Sequence, residues 1–202
     1  MTSPDFTPTL PYRLSEITPG SFLYEIPHAL TPDLCSEIIR RFEQSTDEQY
    51  PGRVGQRAEE QQSIKRSTDL VVSGKPLWQD IDTYLFRSLS AALKEFKKLF
   101  PFFSAGFKDM GYALQRTQAG EYYHWHIDGG SHEFSQRQLV AIWYLNDVPG
   151  PGGATEFKSQ NIKVRPEQGK LLLFPPFWTH EHRGGILESG VKYIATTWVV
   201  FA

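Results

Sequence analysis

The spacing of apolar residues divides the chain into two unlike halves. In the first half they recur at helical intervals. Leu34, Ile38 and Phe42 share one face of a segment that opens at Thr31-Pro32, a capping side chain followed by a proline at the first helical position. Leu77, Ile81, Leu85, Leu89, Leu93 and Phe96 form a longer stripe, which predicts a second helix from about Pro76 to Lys98. We read that stripe as core packing. From Gly111 the pattern shortens. Tyr112–Gln118, Arg137–Asn146, Gly169–Phe174 and Lys192–Phe201 are short runs rich in β-branched and aromatic residues, separated by turns such as Pro149-Gly150-Pro151-Gly152-Gly153. Helices first and strands later predict an α+β domain. The strand set fits a double-sheet jelly roll.

Two segments follow neither pattern. Residues 1–20 are rich in Pro and Thr and read as an extended arm. Residues 43–66 are polar and without period, and a long unpatterned stretch inside a compact domain is commonly disordered or functional. It is a candidate lid, mobile until bound substrate orders it, with a plain linker as the alternative. The expected organisation is one domain over 1–202. It has the arm at 1–20, a helical support region at 21–108 with the lid at 43–66, and a jelly-roll catalytic core at 109–202.

Composition narrows the function more than the fold. A chain of 202 residues can bury a sizeable core as one domain. Its net charge of −2 gives no electrostatic support for a nucleic-acid partner. One cysteine, Cys35, excludes a disulfide framework and suits a reducing compartment. No apolar run approaches membrane-spanning length, and no basic segment with an apolar core opens the chain. The expected location is therefore cytoplasmic, without a membrane partner. Oligomeric state is not legible.

The candidate chemistry lies in the second half, which holds five of the six histidines: His124, His126, His132, His180 and His182. His126 and Asp128 form an H-x-D pair, and His182 is a third candidate ligand. Two imidazoles and one carboxylate leave open positions on a metal, the donor set of non-haem Fe(II) oxygenases. Zinc, manganese and nickel would also accept it. From the residues alone, His124 and His126 could instead be the metal pair, alternating on one strand face around Trp125. His180 is a rival to His182 for the same reason. A thiolate zinc cluster is excluded by the single cysteine.

These residues also carry a resemblance. Tyr123-x-x-His126-x-Asp128, then Tyr144-Leu145-Asn146, then Gly152-Gly153-Ala154-Thr155-Glu156-Phe157, then His182-Arg183-Gly184 and Lys192-Tyr193 occur in that order. Over roughly residues 110–201 the chain resembles the Fe(II)- and 2-oxoglutarate-dependent dioxygenases, in the prolyl-4-hydroxylase-like branch. The resemblance implies a jelly roll with helices packed on one sheet. It implies Fe(II) on His126, Asp128 and His182, with 2-oxoglutarate and O2 as co-substrates and ascorbate as an optional reductant. It places Lys192 on the far carboxylate of 2-oxoglutarate and Tyr144 beside it. Its spacing to Gly184 and Lys192 favours His182 over His180. His124 is then a group behind the metal ligands or facing substrate, and Trp198 is either pocket wall or core.

The reaction implied is decarboxylation of 2-oxoglutarate to succinate and CO2, coupled to hydroxylation of a C–H bond. The target is a prolyl residue in a protein, another side chain, or a free small molecule. A metal-binding jelly roll without turnover is the alternative from a different class. Two departures stand out. Ile186-Leu187 replaces the usual Pro-Val after the distal histidine, and Arg116 stands where the branch often has a tyrosine, which bears on the inner carboxylate of the co-substrate.

Overall fold

The computed structural model describes residues 13–55 and 58–202. In chain order the elements are β1 (Ser15–Glu16), β2 (Tyr24–Ile26), α1 (Pro32–Gln44), β3 (Tyr50–Pro51), β4 (Lys65–Arg66), β5 (Thr68–Val71), α2 (Gln79–Leu99) and β6 (Phe107–Asp109). Then follow β7 (Ala113–Gln118), β8 (Tyr122–His126), β9 (Arg137–Tyr144), β10 (Thr155–Phe157), β11 (Ile162–Val164), β12 (Leu171–Phe174), β13 (His182–Gly184) and β14 (Val191–Phe201).

The strands form two antiparallel sheets. The larger runs β1-β2-β12-β9-β14-β7-β5-β3, with β6 extending along the far end of β14. The smaller runs β11-β10-β13-β8-β4. Strands β9 and β12 explain the layering. Their sequences, RQLVAIWY and LLLF, are apolar on nearly every residue, as expected of strands covered on both faces. Leu139, Ala141, Trp143, Leu171 and Leu173 turn toward the helices and join Ile38, Phe42, Ile81, Leu85 and Leu89 in one core. Val140, Ile142, Tyr144, Leu172 and Phe174 turn the other way and meet Phe157 and Val164 of the small sheet in a second core. The helices therefore cover one face of the large sheet and the small sheet covers the other.

Both expected helices form. Thr31 caps α1 by accepting the Leu34 N–H at 3.3 Å, and a 3₁₀ turn at Pro76–Trp78 leads into α2. Arg41 joins the two helices through a bidentate pair with Asp80, both contacts at 2.7 Å. Ser88 on α2 donates to the Ala29 carbonyl at 3.0 Å and accepts from Trp143 Nε1 at 2.9 Å. That buried hydroxyl ties helix, loop and sheet together with no polar atom left over.

The region expected to be helical support also supplies β2 to β6. The segment 43–66 carries more backbone pairing than its composition suggests. Among its described residues it forms a 3₁₀ turn at Thr46–Glu48 and two short strands, one in each sheet: Tyr50 pairs with Asp69, and Lys65 with Tyr123. Between them Val54 and Glu59 exchange both backbone hydrogen bonds, at 2.9 and 3.0 Å. The His124 N–H and the Tyr122 hydroxyl donate to the carbonyls of Ile64 and Gln62 at 2.8 and 3.0 Å. Backbone pairing, which carries no hydrophobic signature, holds what apolar burial does not. Of the arm at 1–20, residues 1–12 lie outside the described residues and Ser15–Glu16 pair with β2. No helix among the described residues is long and apolar enough to cross a membrane.

The helix layer should be essential to stability. Ile38 is fully buried, so Ile38→Ala should cost about 2–5 kcal/mol in urea unfolding. Phe86→Ala, on the exposed side of α2, should stay within about 0.5 kcal/mol.

Candidate metal centre

Strands β8 and β13 are neighbours in the small sheet, and His126 and His182 stand directly opposite each other. Their rings lie 4.2 Å apart, and both point between the sheets. Asp128 follows two residues after the end of β8. It is held there by backbone contacts: the N–H groups of Asp128 and Gly129 both donate to the Pro176 carbonyl, at 3.0 and 2.8 Å. Arg137 donates to the Asp128 carbonyl at 2.7 Å. The carboxylate comes to 3.5 Å from His182 Nε2. One ligand atom from each of His126, Asp128 and His182 lies within 4.8 Å of the others.

The orientation of the rings bears on whether a metal fits. His126 Nδ1 faces the His124 carbonyl at 2.8 Å, and His182 Nδ1 faces the His180 carbonyl at 3.0 Å. A nitrogen facing a carbonyl must carry the proton. Each Nε2 therefore presents a lone pair toward the other and toward the carboxylate. Burial pushes His126 down to about 4, with the nearby His182 adding to the effect, and burial likewise lowers His182. Both rings are neutral near pH 7, the form that binds metal. Two neutral imidazoles and one carboxylate suit a divalent first-row ion.

The rival histidines occupy other positions. His180 has both nitrogens engaged, Nδ1 with the Thr179 hydroxyl at 2.9 Å and Nε2 with the Ser21 carbonyl at 3.0 Å. His124 is exposed and packs against Tyr122 at 4.7 Å. Each serves the centre through its backbone carbonyl rather than its ring.

Lys192 and Tyr144 project from the large sheet into the same interior. The Lys192 ammonium is buried, donates to the Gly153 carbonyl at 2.9 Å and has no carboxylate partner among the described residues. Burial alone lowers it to about 8. The Tyr144 hydroxyl donates to Thr155 at 2.7 Å, two residues along from Gly153. Arg116 does not share this interior. It turns to the helix side, where it meets Glu43 at 2.9 and 3.0 Å and lies over the Phe42 ring. The inward positions on β7 are Gln115 and Thr117, joined at 3.3 Å.

A cavity of about 800 Å³ leads from the surface to His126 and Asp128. Trp198 lines it, so the pocket reading of that residue holds. Arg137 also lines it, sandwiched between the Phe134 and Trp198 rings at 3.8 Å from each. Among the described residues, Arg137 Nε and Trp198 Nε1 are buried without hydrogen-bond partners. Sequence reasoning missed Arg137. Its one signal is a charge opening an otherwise apolar strand. Lys65 and Asp69 also line the cavity and carried no signal.

The model of the 2OG-Fe(II) oxygenase superfamily matches residues 112–200. Among solved structures, the viral collagen prolyl hydroxylase of Paramecium bursaria Chlorella virus-1 is 18% identical, covers 93% of this chain and 100% of its own, and gives a TM-score of 0.68. A Trichoplax adhaerens prolyl hydroxylase, solved with a peptide fragment of the hypoxia inducible factor oxygen degradation domain, is 16% identical, with coverage of 90% and 84% and a TM-score of 0.77. A Pseudomonas putida prolyl-4-hydroxylase is 17% identical, with coverage of 90% and 93% and a TM-score of 0.66. These likenesses establish the shared jelly-roll fold. A search among curated protein sequences finds no match.

Metal binding discriminates the histidines. Removing His126 or His182 should weaken Mn(II) binding in equilibrium dialysis by about 100-fold or more. His180→Ala should bind within about tenfold of the parent, because its carbonyl survives the substitution. The opposite ranking would exchange their roles.

Proposed function

We propose, on the match of residues 112–200 to the 2OG-Fe(II) oxygenase superfamily model, that the chain is a member of that superfamily, that His126, Asp128 and His182 hold its iron and that Lys192 and Tyr144 hold its 2-oxoglutarate. The enzyme is an Fe(II)- and 2-oxoglutarate-dependent dioxygenase. With O2, the bound iron and co-substrate supply an oxidation that yields succinate and CO2 and inserts one oxygen atom into a C–H bond. The protein supplies position and exclusion of water. Lys192 is the observation that carries this reading: a buried ammonium with no carboxylate among the described residues to neutralise it is a cation awaiting an anion. The far carboxylate of 2-oxoglutarate meets that need with a charge-assisted hydrogen bond. The Tyr144 hydroxyl stands ready on the same wall. The two imidazoles and Asp128 leave open the metal positions facing the cavity, where the inner end of 2-oxoglutarate and O2 enter.

The primary substrate in this reading is a prolyl residue of a protein or peptide. The prolyl hydroxylase neighbours support it, one of them solved with a peptide fragment. So does the breadth of the cavity. Its free, buried cysteine suits a cytoplasmic setting. Succinate released from 2-oxoglutarate with Fe(II), with and without proline-containing peptides, tests the class and the substrate separately.

Lys192→Ala should weaken 2-oxoglutarate binding by about 2–5 kcal/mol, measured by calorimetry with Mn(II) in place of iron. Lys192→Arg should also bind poorly, since a planar guanidinium does not fit a pocket shaped for a compact ammonium.

A pH series adds a second check. The anion needs protonated Lys192, and that group titrates at about 8 in the co-substrate-free protein. Affinity should therefore be level below about pH 8 and fall roughly tenfold per pH unit above it. A level profile to pH 10 would remove Lys192 from the role.

A further inference from the structure

One wall of the cavity carries charge that the reaction does not use. Lys65 and Asp69 form a buried pair at 2.6 Å, and Ser67 donates to the other Asp69 oxygen at 2.8 Å. The three residues lie where the chain crosses from the small sheet to the large one. A pair taken out of water is expensive to keep and adds little net stability. An ammonium has three donors, and among the described residues Lys65 has one hydrogen-bond partner, Asp69. Its ammonium also lies 5.3 Å from the centre of the Tyr123 ring, which stacks at 3.6 Å on the imidazole of His126. Lys65 is thus one aromatic ring away from a metal ligand. At Gly52 a side chain would collide with Ser67 and Lys65. Its absence brings the next residue, Arg53, to the rim of the same wall, where the guanidinium lies 4.7 Å over the Tyr50 ring. Arg53 has no ion pair among the described residues.

The sign of the cavity points the same way. Its charged lining is Arg53, Lys65 and Arg137 against Asp69 and Asp128. Three cations face two carboxylates, in a protein whose net charge is −2. A divalent metal and dianionic 2-oxoglutarate cancel each other, so the loaded cavity keeps the excess. An anionic substrate removes it.

We propose that this wall reads a carboxylate on the primary substrate, with Lys65 as the inner contact and Arg53 as the rim contact. This rests on the oxygenase reading for the site's purpose, but not for its existence. Asp69 holds the ammonium in place, and the arriving carboxylate takes its remaining donors. The carboxylate belongs either to an acidic residue near the target in a peptide or to a small molecule.

The test is binding to the wild-type protein loaded with Mn(II) and 2-oxoglutarate, which does not turn over. The probes are a blocked Ala-Gly-Glu-Pro-Glu-Gly-Ala peptide, its Gln twin, and N-acetylglutamate amide, read by calorimetry. The Glu peptide should bind about tenfold or more tightly than the Gln twin. Lys65→Gln, whose amide can still donate to Asp69, should abolish that preference, and Lys65→Arg should retain part of it. Arg53→Gln, at an exposed position, should reduce the preference about threefold even if the Lys65 variants fold poorly. A small amide that matches the peptide assigns the site to small carboxylates, and a much weaker one assigns it to acidic peptides. Equal binding of the Glu and Gln twins, binding of neither, or a preference unchanged in the variants overturns the inference. Wild-type protein that releases succinate yet shows no preference would leave the oxygenase reading intact. Protein that binds the Glu peptide but never consumes 2-oxoglutarate would reverse that outcome.

Discussion

A sheet that is apolar on both faces must be covered twice, and most of this structure follows from that requirement. Strands β9 and β12 bury nearly every residue. One set of alternate side chains needs the two helices and the other needs a second sheet. The second sheet cannot close tightly at every point, because the interior it shares with the first contains imidazoles, a carboxylate and an ammonium rather than hydrocarbon alone. The polar centre thus sits inside a frame whose stability comes from elsewhere. Leu171, Leu173 and Trp143 pack against helices while their neighbours Leu172, Phe174 and Tyr144 build the wall of the site.

Within that frame, orientation is set mainly by backbone atoms. The imidazoles of His126 and His182 are aimed by the carbonyls of His124 and His180, and Asp128 is held by the Pro176 carbonyl and by Arg137. The carbonyl contacts position these side chains without adding charge, whereas Arg137 places a cation directly beside Asp128. Further charge is supplied at two more distant places. Lys192 lies deep in the fold, and the Lys65–Asp69 pair lies on the cavity wall. Among the described residues Lys192 has no counter-ion, whereas Lys65 has one.

Much of this was legible in the sequence wherever burial leaves a periodic trace. The stripe from Ile81 to Phe96 and the cap at Thr31 gave both helices, although Leu77, expected on the same stripe, is exposed in the turn before α2. The four long strands came from their β-branched and aromatic runs. The grouping of His126, Asp128 and His182 in space was anticipated by motif order, since no local pattern links residue 128 to residue 182. The short strands β3, β4 and β10 escaped notice because two or three residues cannot display a period. The pairing within the described part of 43–66 left no trace for the same reason: its backbone hydrogen-bonds to Asp69 and His124 and accepts from the Tyr122 hydroxyl, contacts that leave no mark on the segment's own composition. The departure at Arg116 was legible in the sequence, but the side to which it faces, toward Glu43 and the helices, was not. A strand residue one step out of phase looks to the opposite side of the sheet.

The same alternation couples the helix layer to the catalytic interior. Lys192 and Tyr193 are consecutive on β14 and therefore face opposite ways. Lys192 reaches the buried site, and the Tyr193 hydroxyl donates to Glu43 of α1 at 2.9 Å, beside Arg116. One residue of backbone separates the ammonium from the helix that braces it. Strand β14 therefore works like a lever with a very short arm. A shift of α1 would have a single residue of backbone over which to be absorbed before it reached the ammonium.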